Sequence, residues 1–482
     1  MNTLFCRSGI PLFLTAFISA VIVYGFELTH FTLSIDEEFS NNYLQTIALG
    51  RWGHALLRQF IFPEPYAPWF TTLIALLFTS AAAVIMAKIL QFSAHTALCF
   101  IVLFFALPQF AYQLEFSNQA DTVGLGFLSA ALSVYYFRCA SPQYGLSIIA
   151  YVAAISIYQS LAFLPVSLIL LCVIKENFEG KKNKDTLIHL AGFAAISILS
   201  VIAYELILLS FQHYYQVSGA SYFSSLISWG KISTLQVVNQ TVNYINDFFT
   251  FNAFYGLQPF SLVVIPFVFL VFSFIRRKGA AGILPVILLA GLLLSPFVMT
   301  LISGGFQAPR VLTSLSLVMA GLYALMMTCI RNKAVNTVFS AVMLLMGSAS
   351  ASQLFYSDYM SEKADSLLAT QITTRLYQTY PDFNAKTTGV YFFGMPERDN
   401  MWKKPNSDVF GYSFFNWDGG NNARIIAYYH VSGIASLHKA SETQLPAVRE
   451  QAKTLPVWPT AGSIAMINNV LVVKLGDRPG VD

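Results

Sequence analysis

The chain has 482 residues, 56% of them hydrophobic and only 11% charged, with a mean hydropathy of +0.59. So few charges cannot coat a soluble globule of this size, so lipid must serve as solvent for much of the chain. The net charge of +4 is small and follows from the topology described below, which excludes a nucleic-acid partner.

Arg7 precedes an apolar run from Ile10 to Phe26 that is long for a signal peptide and lacks a small-x-small cleavage site, so it reads as a retained first span. Apolar stretches long enough to cross a hydrocarbon core of about 30 Å fall near 9–28, 67–89, 95–113, 122–138, 145–158, 161–175, 186–211, 259–275, 282–303, 311–330 and 334–353. That makes about 11 transmembrane helices. The two around Tyr158-Gln159-Ser160 are separable only because merging them breaks the charge pattern. With a cytoplasmic N-terminus, the cytoplasmic connections hold 12 of the 16 basic residues before 354. The opposite face holds Arg51, Arg58, Lys231 and Arg310 against nine acids. An odd number of spans puts the C-terminus outside, and all five cysteines fall at or near cytoplasmic ends, so no disulfide framework is implied.

Three outer segments exceed simple turns. Residues 29–66 hold an amphipathic stretch, Asn42 to Leu57, expected along the membrane surface, and 212–258 alternates aromatic with polar residues, as interfacial helices do. The third, 354–482, carries 24 of the 52 charged residues and reads as soluble sequence. Helix-forming sequence near 359–380 and strand-like runs at Gly389–Phe393, Ile464–Ile467 and Val470–Leu475 predict a small α/β module. The expected fold is therefore an α-helical polytopic membrane domain over 1–353 and a periplasmic soluble domain over 354–482. There is no fixed-period repeat, no phosphate- or dinucleotide-binding glycine motif and no Cys/His metal spacing.

Asp36-Glu37-Glu38 lies a few residues past the first span, where a carboxylate can take a proton from a sugar hydroxyl. A solvated acidic cap that sets topology is the competing reading. Glu115 and Asp121 flank a short connection, either binding the acceptor, supporting the first acidic loop or sitting in a plain turn. Arg310 begins a span on a face otherwise poor in cations, and its planar fork suits a phosphate or a lipid headgroup. Arg51, His54, Arg58 and Lys231 are weaker versions of the same case. Glu205, inside an apolar run, reads as a pathway residue or half of a buried pair. Trp402, Trp417 and Asp418, with the Gly419-Gly420-Asn421-Asn422 turn, suit either sugar stacking or an ordinary core.

An N-terminal span, Ser34-Ile35-Asp36-Glu37-Glu38-Phe39, then Gly50-Arg51-Trp52-Gly53-His54 and a polytopic body ending in a soluble domain resemble the Gtr-type serotype-converting O-antigen glucosyltransferases of the GT-C class. The resemblance implies a bacterial inner-membrane hexosyltransferase with a GT-C-like fold. It would move glucose or a related hexose from an undecaprenyl (polyprenyl) phosphate donor to a lipid-linked O-antigen of lipopolysaccharide on the periplasmic face. It further implies an essential acid in the first outer loop, at Asp36 or Glu37, where this chain has three acids in place of the usual pair. Arg310, Arg51 and Lys231 would hold the donor phosphate, and Glu38, His54, Glu115 and Asp121 would line the substrate site. No cofactor is called for; a divalent metal stays open, although the Gtr type resembles the metal-independent branch. Two competitors remain from sequence: a transferase of the same architecture for another group, and a transporter or flippase of a lipid-linked sugar. The latter usually shows internal repeats, and none is present here.

Overall fold

The computed structural model describes residues 9–39, 42–62, 67–220, 222–330 and 332–481; Cys6, Arg7, Glu64 and Arg331, used in the counts above, lie outside them. Among the described residues eight helices are long and apolar enough to cross a membrane: Pro68–Ile89, Ala94–Leu114, Ser117–Arg138, Gln159–Phe178, Asn183–Tyr215, Gln258–Lys278, Ile283–Ser303 and Lys333–Thr379. Shorter apolar helices occupy Gly9–Tyr24, Tyr144–Ile157 and Leu315–Met327. The protein is thus a polytopic helical membrane protein. Tyr158 is extended, with φ −153° and ψ 114°, so the run around it breaks into two helices.

Two compact units divide the chain, Met1–Thr29 with Asn42–Ser352, and His30–Asn41 with Gln353–Asp482. The second differs from the sequence reading, which kept 30–41 with the membrane domain. The long helix Lys333–Thr379 carries the chain from one unit into the other.

In the first unit, small residues let helices approach closely. Helix Pro68–Ile89 packs on Ser117–Arg138 at Gly124, where a Cβ would lie 2.8 Å from the Ala75 Cα. Gly347 meets helix Ala94–Ala106 still more tightly, since a Cβ there would sit 1.9 Å from the Ala106 carbonyl oxygen. Close backbone contact of this kind is how helices associate where lipid supplies no hydrophobic drive.

The second unit contains a four-stranded sheet in the order β2 (His438–Lys439), β1 (Gly389–Phe393), β4 (Val470–Lys474), β3 (Ile464–Ile467). β1 runs parallel to β2 and β4, and β3 is antiparallel to β4. Asn468 and Asn469, at φ 49° and 59°, make the two-residue hairpin that joins β3 to β4. β1 and β4 are apolar almost throughout because both faces are covered. Tyr391, Phe393, Val470 and Val472 pack with Leu445 and Val448 of helix Leu445–Ala452, while Phe392 stacks on Tyr429 of helix Asn422–Val431. Past the short β2, the free edge of β1 is closed by a side chain: Asn422 accepts from the Phe392 N–H at 3.0 Å and donates to its carbonyl at 2.9 Å.

The packing at Gly347 yields a direct test. Gly347→Val should destabilise the first unit by about 1–3 kcal/mol or more through overpacking, read as lost monodisperse protein in detergent. Gly291→Val, at a position with open space around it, should leave the yield unchanged. Equal yields from both variants would refute the close contact.

Candidate functional site

Residues 34–38 form a tight turn in the second unit. Glu37 N–H donates to the Ser34 carbonyl at 3.0 Å, and the Glu37 carboxylate accepts from the Ser34 N–H at 2.9 Å. Glu37 is buried in this reciprocal box. Between them Asp36 takes a left-handed φ of 80°, a conformation Asp tolerates better than most residues. Its side chain remains 57% exposed.

Arg424 meets these acids. Its Nη1 contacts Asp36 Oδ1 at 3.1 Å and hydrogen-bonds Glu38 Oε1, and its Nη2 lies 3.4 Å from Asp418 Oδ2. Local structure aims it there. Asn421 caps helix Asn422–Val431 by accepting from the Arg424 N–H, Asn422 fastens that helix to β1, and Arg424 follows in its first turn. Asp418 is set by the left-handed residues Asp418, Gly419 and Gly420. Glu38 is buried, and burial pushes its carboxyl up to about 7 against the opposing pull of Arg424.

The same unit holds two further buried carboxylates on Lys333–Thr379, the last of the membrane-length helices and hereafter the last helix, beyond its apolar stretch. Asp358 accepts from the Gly411 N–H at 3.1 Å, from Thr32 Oγ1 at 3.4 Å and from Ser34 Oγ; burial raises its carboxyl to about 6. Asp365 accepts from Ser413 Oγ at 2.6 Å and the Phe414 N–H at 2.7 Å, with Arg398 at 3.3 Å; burial raises it to about 7. Ser34 therefore ties the acidic turn to the last helix.

The remaining expected site residues lie in the first unit, and most of them gather. Helix Tyr43–Ala48 ends at Gly50, whose φ is 78° and whose carbonyl accepts from the Tyr204 hydroxyl at 2.8 Å. Helix Trp52–Phe60 follows, with Gly53 close against Ser156 and Trp52 stacked on Tyr204 and Phe211. Arg51, His54 and Arg58 recur at helical spacing and face the start of Ser117–Arg138. Arg51 donates to Gln119 at 3.3 Å and lies over the Tyr158 ring, and His54 Nδ1 is 2.8 Å from Thr122 Oγ1. Arg58 and Asp121 form a buried bidentate pair at 2.5 and 3.2 Å. Burial, then Arg58 and Arg51, hold the His54 imidazole well below its ordinary range, so it is neutral near pH 7.

Asp121 thus binds a neighbouring helix through Arg58. Glu115 is buried at the end of helix Ala111–Leu114. Arg310 lies half-buried over the Phe116 ring at 5.0 Å, and its carbonyl accepts from Gln113 Nε2. Lys231 stands apart: its ammonium donates to the Ser224 and Ser225 carbonyls at 2.7 and 2.9 Å, closing its own turn. Glu205 is exposed on helix Asn183–Tyr215. Sequence reasoning missed Arg424, Asp358 and Asp365, and it named Asn422 only as part of a turn. The signal that could have found Arg424 is the Asn421 N-cap, which opens the helix on which Arg424 sits. Among the described residues no three His, Cys, Asp or Glu side chains are grouped to hold a metal ion.

Residues 25–328 match the family described as Glucosyl transferase GtrII. The chain belongs to this family. The protein is accordingly a glucosyltransferase of the GtrII type, and the segments Ser34–Phe39 and Gly50–His54 both fall inside the matched stretch. No curated protein and no solved structure matches the transferase.

Two outcomes follow. Removing one partner of a buried ion pair costs about 3–5 kcal/mol, so Arg58→Ala and Asp121→Ala should each lower the transferase's thermal stability in detergent. The double variant should cost clearly less than their sum; strict additivity would contradict the pair. For Asp358, the folded-state value near 6 lies above the ordinary carboxylate range, so the folded state holds the extra proton between about pH 4 and 6. Stability from this group is therefore lost as pH rises through 6. Asp358→Asn keeps the Gly411 bond and lets its amide donate to the Ser34 hydroxyl. Hydrogen exchange around Gly411 should accelerate from pH 5 to 7.5 beyond the intrinsic rate in the wild type, and that excess should shrink in the variant.

Proposed function

We propose that this glucosyltransferase takes a glucosyl group from a polyprenyl phosphate donor, such as undecaprenyl phosphate glucose, and places it on a hydroxyl of a lipid-linked O-antigen. The reaction is assigned to the periplasmic face of the bacterial inner membrane, with a GT-C-like arrangement of about 11 spans. Family membership supports glucosyl transfer, and the membrane-length helices support a donor that resides in lipid. The three shorter apolar helices coincide with the remaining expected spans.

The observation that carries the chemistry is the acidic turn. Of its three carboxylates, Glu37 is spent on the Ser34 N–H and Glu38 is buried against Arg424, whereas Asp36 projects from a left-handed residue with most of its side chain open. We assign Asp36 as the general base. It takes the proton of the acceptor hydroxyl as that oxygen bonds to the sugar C1, and the C1–O bond to phosphate breaks with its electron pair leaving on the phosphate. Charge grows on the phosphate as the bond breaks, which a cation stabilises. On chemistry alone we assign that role to Arg51 and Arg310, both half-buried cations of the first unit. Lys231, engaged in its own turn, is left out of it. Arg424 and Glu38 position Asp36, and Glu37 holds the turn.

The test is transfer of radiolabelled glucose from polyprenyl phosphate glucose to an O-antigen lipid by the purified protein. Asp36→Asn should lower kcat by about 10²–10⁴ while the protein stays folded and inserted. Glu37→Gln should chiefly reduce folded yield, with transfer per folded molecule much less affected. Full activity of Asp36→Asn would remove the base from Asp36. Transfer of another sugar in place of glucose would change the donor and leave the acid's role intact.

A further inference from the structure

Between the end of β1 at Phe393 and Trp417 the chain forms no helix or strand. Ordered segments this long without regular structure are uncommon and usually functional. This one is fixed in place. Asn400 Nδ2 donates to the carbonyls of Ser357 and Gly411 at 2.8 and 3.1 Å, Asp358 holds the Gly411 N–H, and Asp365 holds Ser413 and Phe414. Lys403 adds a bond to the Phe410 carbonyl at 3.0 Å.

The fixed segment walls a cavity of about 690 Å³ against the last helix, lined among others by Ser361, Asp399, Asn400, Trp402, Lys404 and Tyr412. That volume lies within the range of small-ligand sites. Three tryptophans of the unit can be compared as platforms. Trp458 is covered by the Arg375 guanidinium at 4.5 Å, and Trp417 packs on Tyr412 at 4.6 Å. Trp402 is 40% exposed, its backbone N–H donating to Asn400 Oδ1 at 3.0 Å and its ring held edge-on to Tyr356 at 5.0 Å and 85°. It is a rigid ring presented at a cavity wall.

An exposed indole held in one orientation offers an apolar, electron-rich face, which suits the polarised C–H face of a pyranose. A sugar also needs donors and acceptors around the ring, and Asp399 and Lys404 bring one of each. We propose that this cavity is a saccharide subsite for the acceptor glycan, with one hexose ring stacked on Trp402. The inference rests on the reading of the protein as a glucosyltransferase acting on a polysaccharide, and it assigns to the C-terminal unit a share in acceptor recognition.

The full-length protein in detergent is tested in two ways. Delipidated oligosaccharide fragments of the O-antigen are titrated without donor, followed by tryptophan fluorescence and calorimetry, and glucose transfer is measured at varied acceptor. Trp402→Ala should weaken fragment binding and raise the acceptor KM about tenfold, with kcat and donor KM unchanged and with Trp402→Phe retaining most of the affinity. Asp399→Asn, at an exposed rim position that cannot disturb packing, should raise the same KM about threefold. Absence of fragment binding by the wild type overturns the subsite, as does an unchanged acceptor KM in both variants with transfer intact; the reaction itself then stands. Fragment binding that depends on Trp402, in a protein that transfers no glucose, upholds the subsite and sinks the proposed reaction alone.

Discussion

One guanidinium serving three carboxylates sets the problem that the C-terminal unit solves. Arg424 offers a single positive charge to Asp36, Glu38 and Asp418, and burying the excess negative charge would be costly. Each acid answers differently. Glu38, fully enclosed, binds its proton more tightly, up to about 7, whereas Asp36 and Asp418 keep much of their surface in water. The result is one enclosed and two water-facing carboxylates on one cation, and the more exposed of the two, Asp36, takes a left-handed conformation.

The supporting layer uses carboxylates as backbone acceptors. Asp358 and Asp365 lie seven positions apart, two turns along one face of the last helix, and both are buried with raised proton affinities. They hold the N–H groups of Gly411 and Phe414, which no strand or helix would otherwise satisfy. Glu362, between them on that face, accepts from the Tyr428 hydroxyl at 3.4 Å. A helix that would be amphipathic with a solvated acidic stripe is here a scaffold for an irregular segment. Asp358 also reaches Ser34, so the acidic turn and the irregular segment share one anchor.

The spans were legible because a run of apolar residues long enough to cross lipid has few alternative explanations. The break at Tyr158 was legible from charge bookkeeping alone, and the strands at 389–393, 464–467 and 470–474 from their apolar runs. The amphipathic stretch after Asn42 resolves into two short helices, with Gly50 making the turn between them. What did not show was anything fixed by distant partners. The acids at 36–38 read as a general base or a solvated acidic cap, and neither reading supplied their partner, because Arg424 is more than 380 residues away in sequence. Asp121 read as an acceptor ligand, a support for the acidic loop or a turn carboxylate, and Arg58 as a weak phosphate-binding candidate, so their pairing did not show. Local pattern reports burial poorly for charged residues, whose burial depends on a counter-charge and not on their own chemistry.

The division of the chain bears on where specificity resides. The stretch that matches the family, 25–328, includes the acidic turn and the Gly50–His54 motif, and it ends before the last helix begins. Arg424, Asp358 and Trp402 lie beyond it, yet two of them touch the acidic turn directly. The matched stretch therefore contains the acids, while the cation paired with Asp36 and Glu38 lies outside it. A change at Arg424 or Asp358 would alter the chemistry of residues 34–38 without altering any residue the family defines. The proposed acceptor subsite would place part of this transferase's specificity in residues 353–482, where the cavity is built and where Arg424 and Asp358 meet the acidic turn.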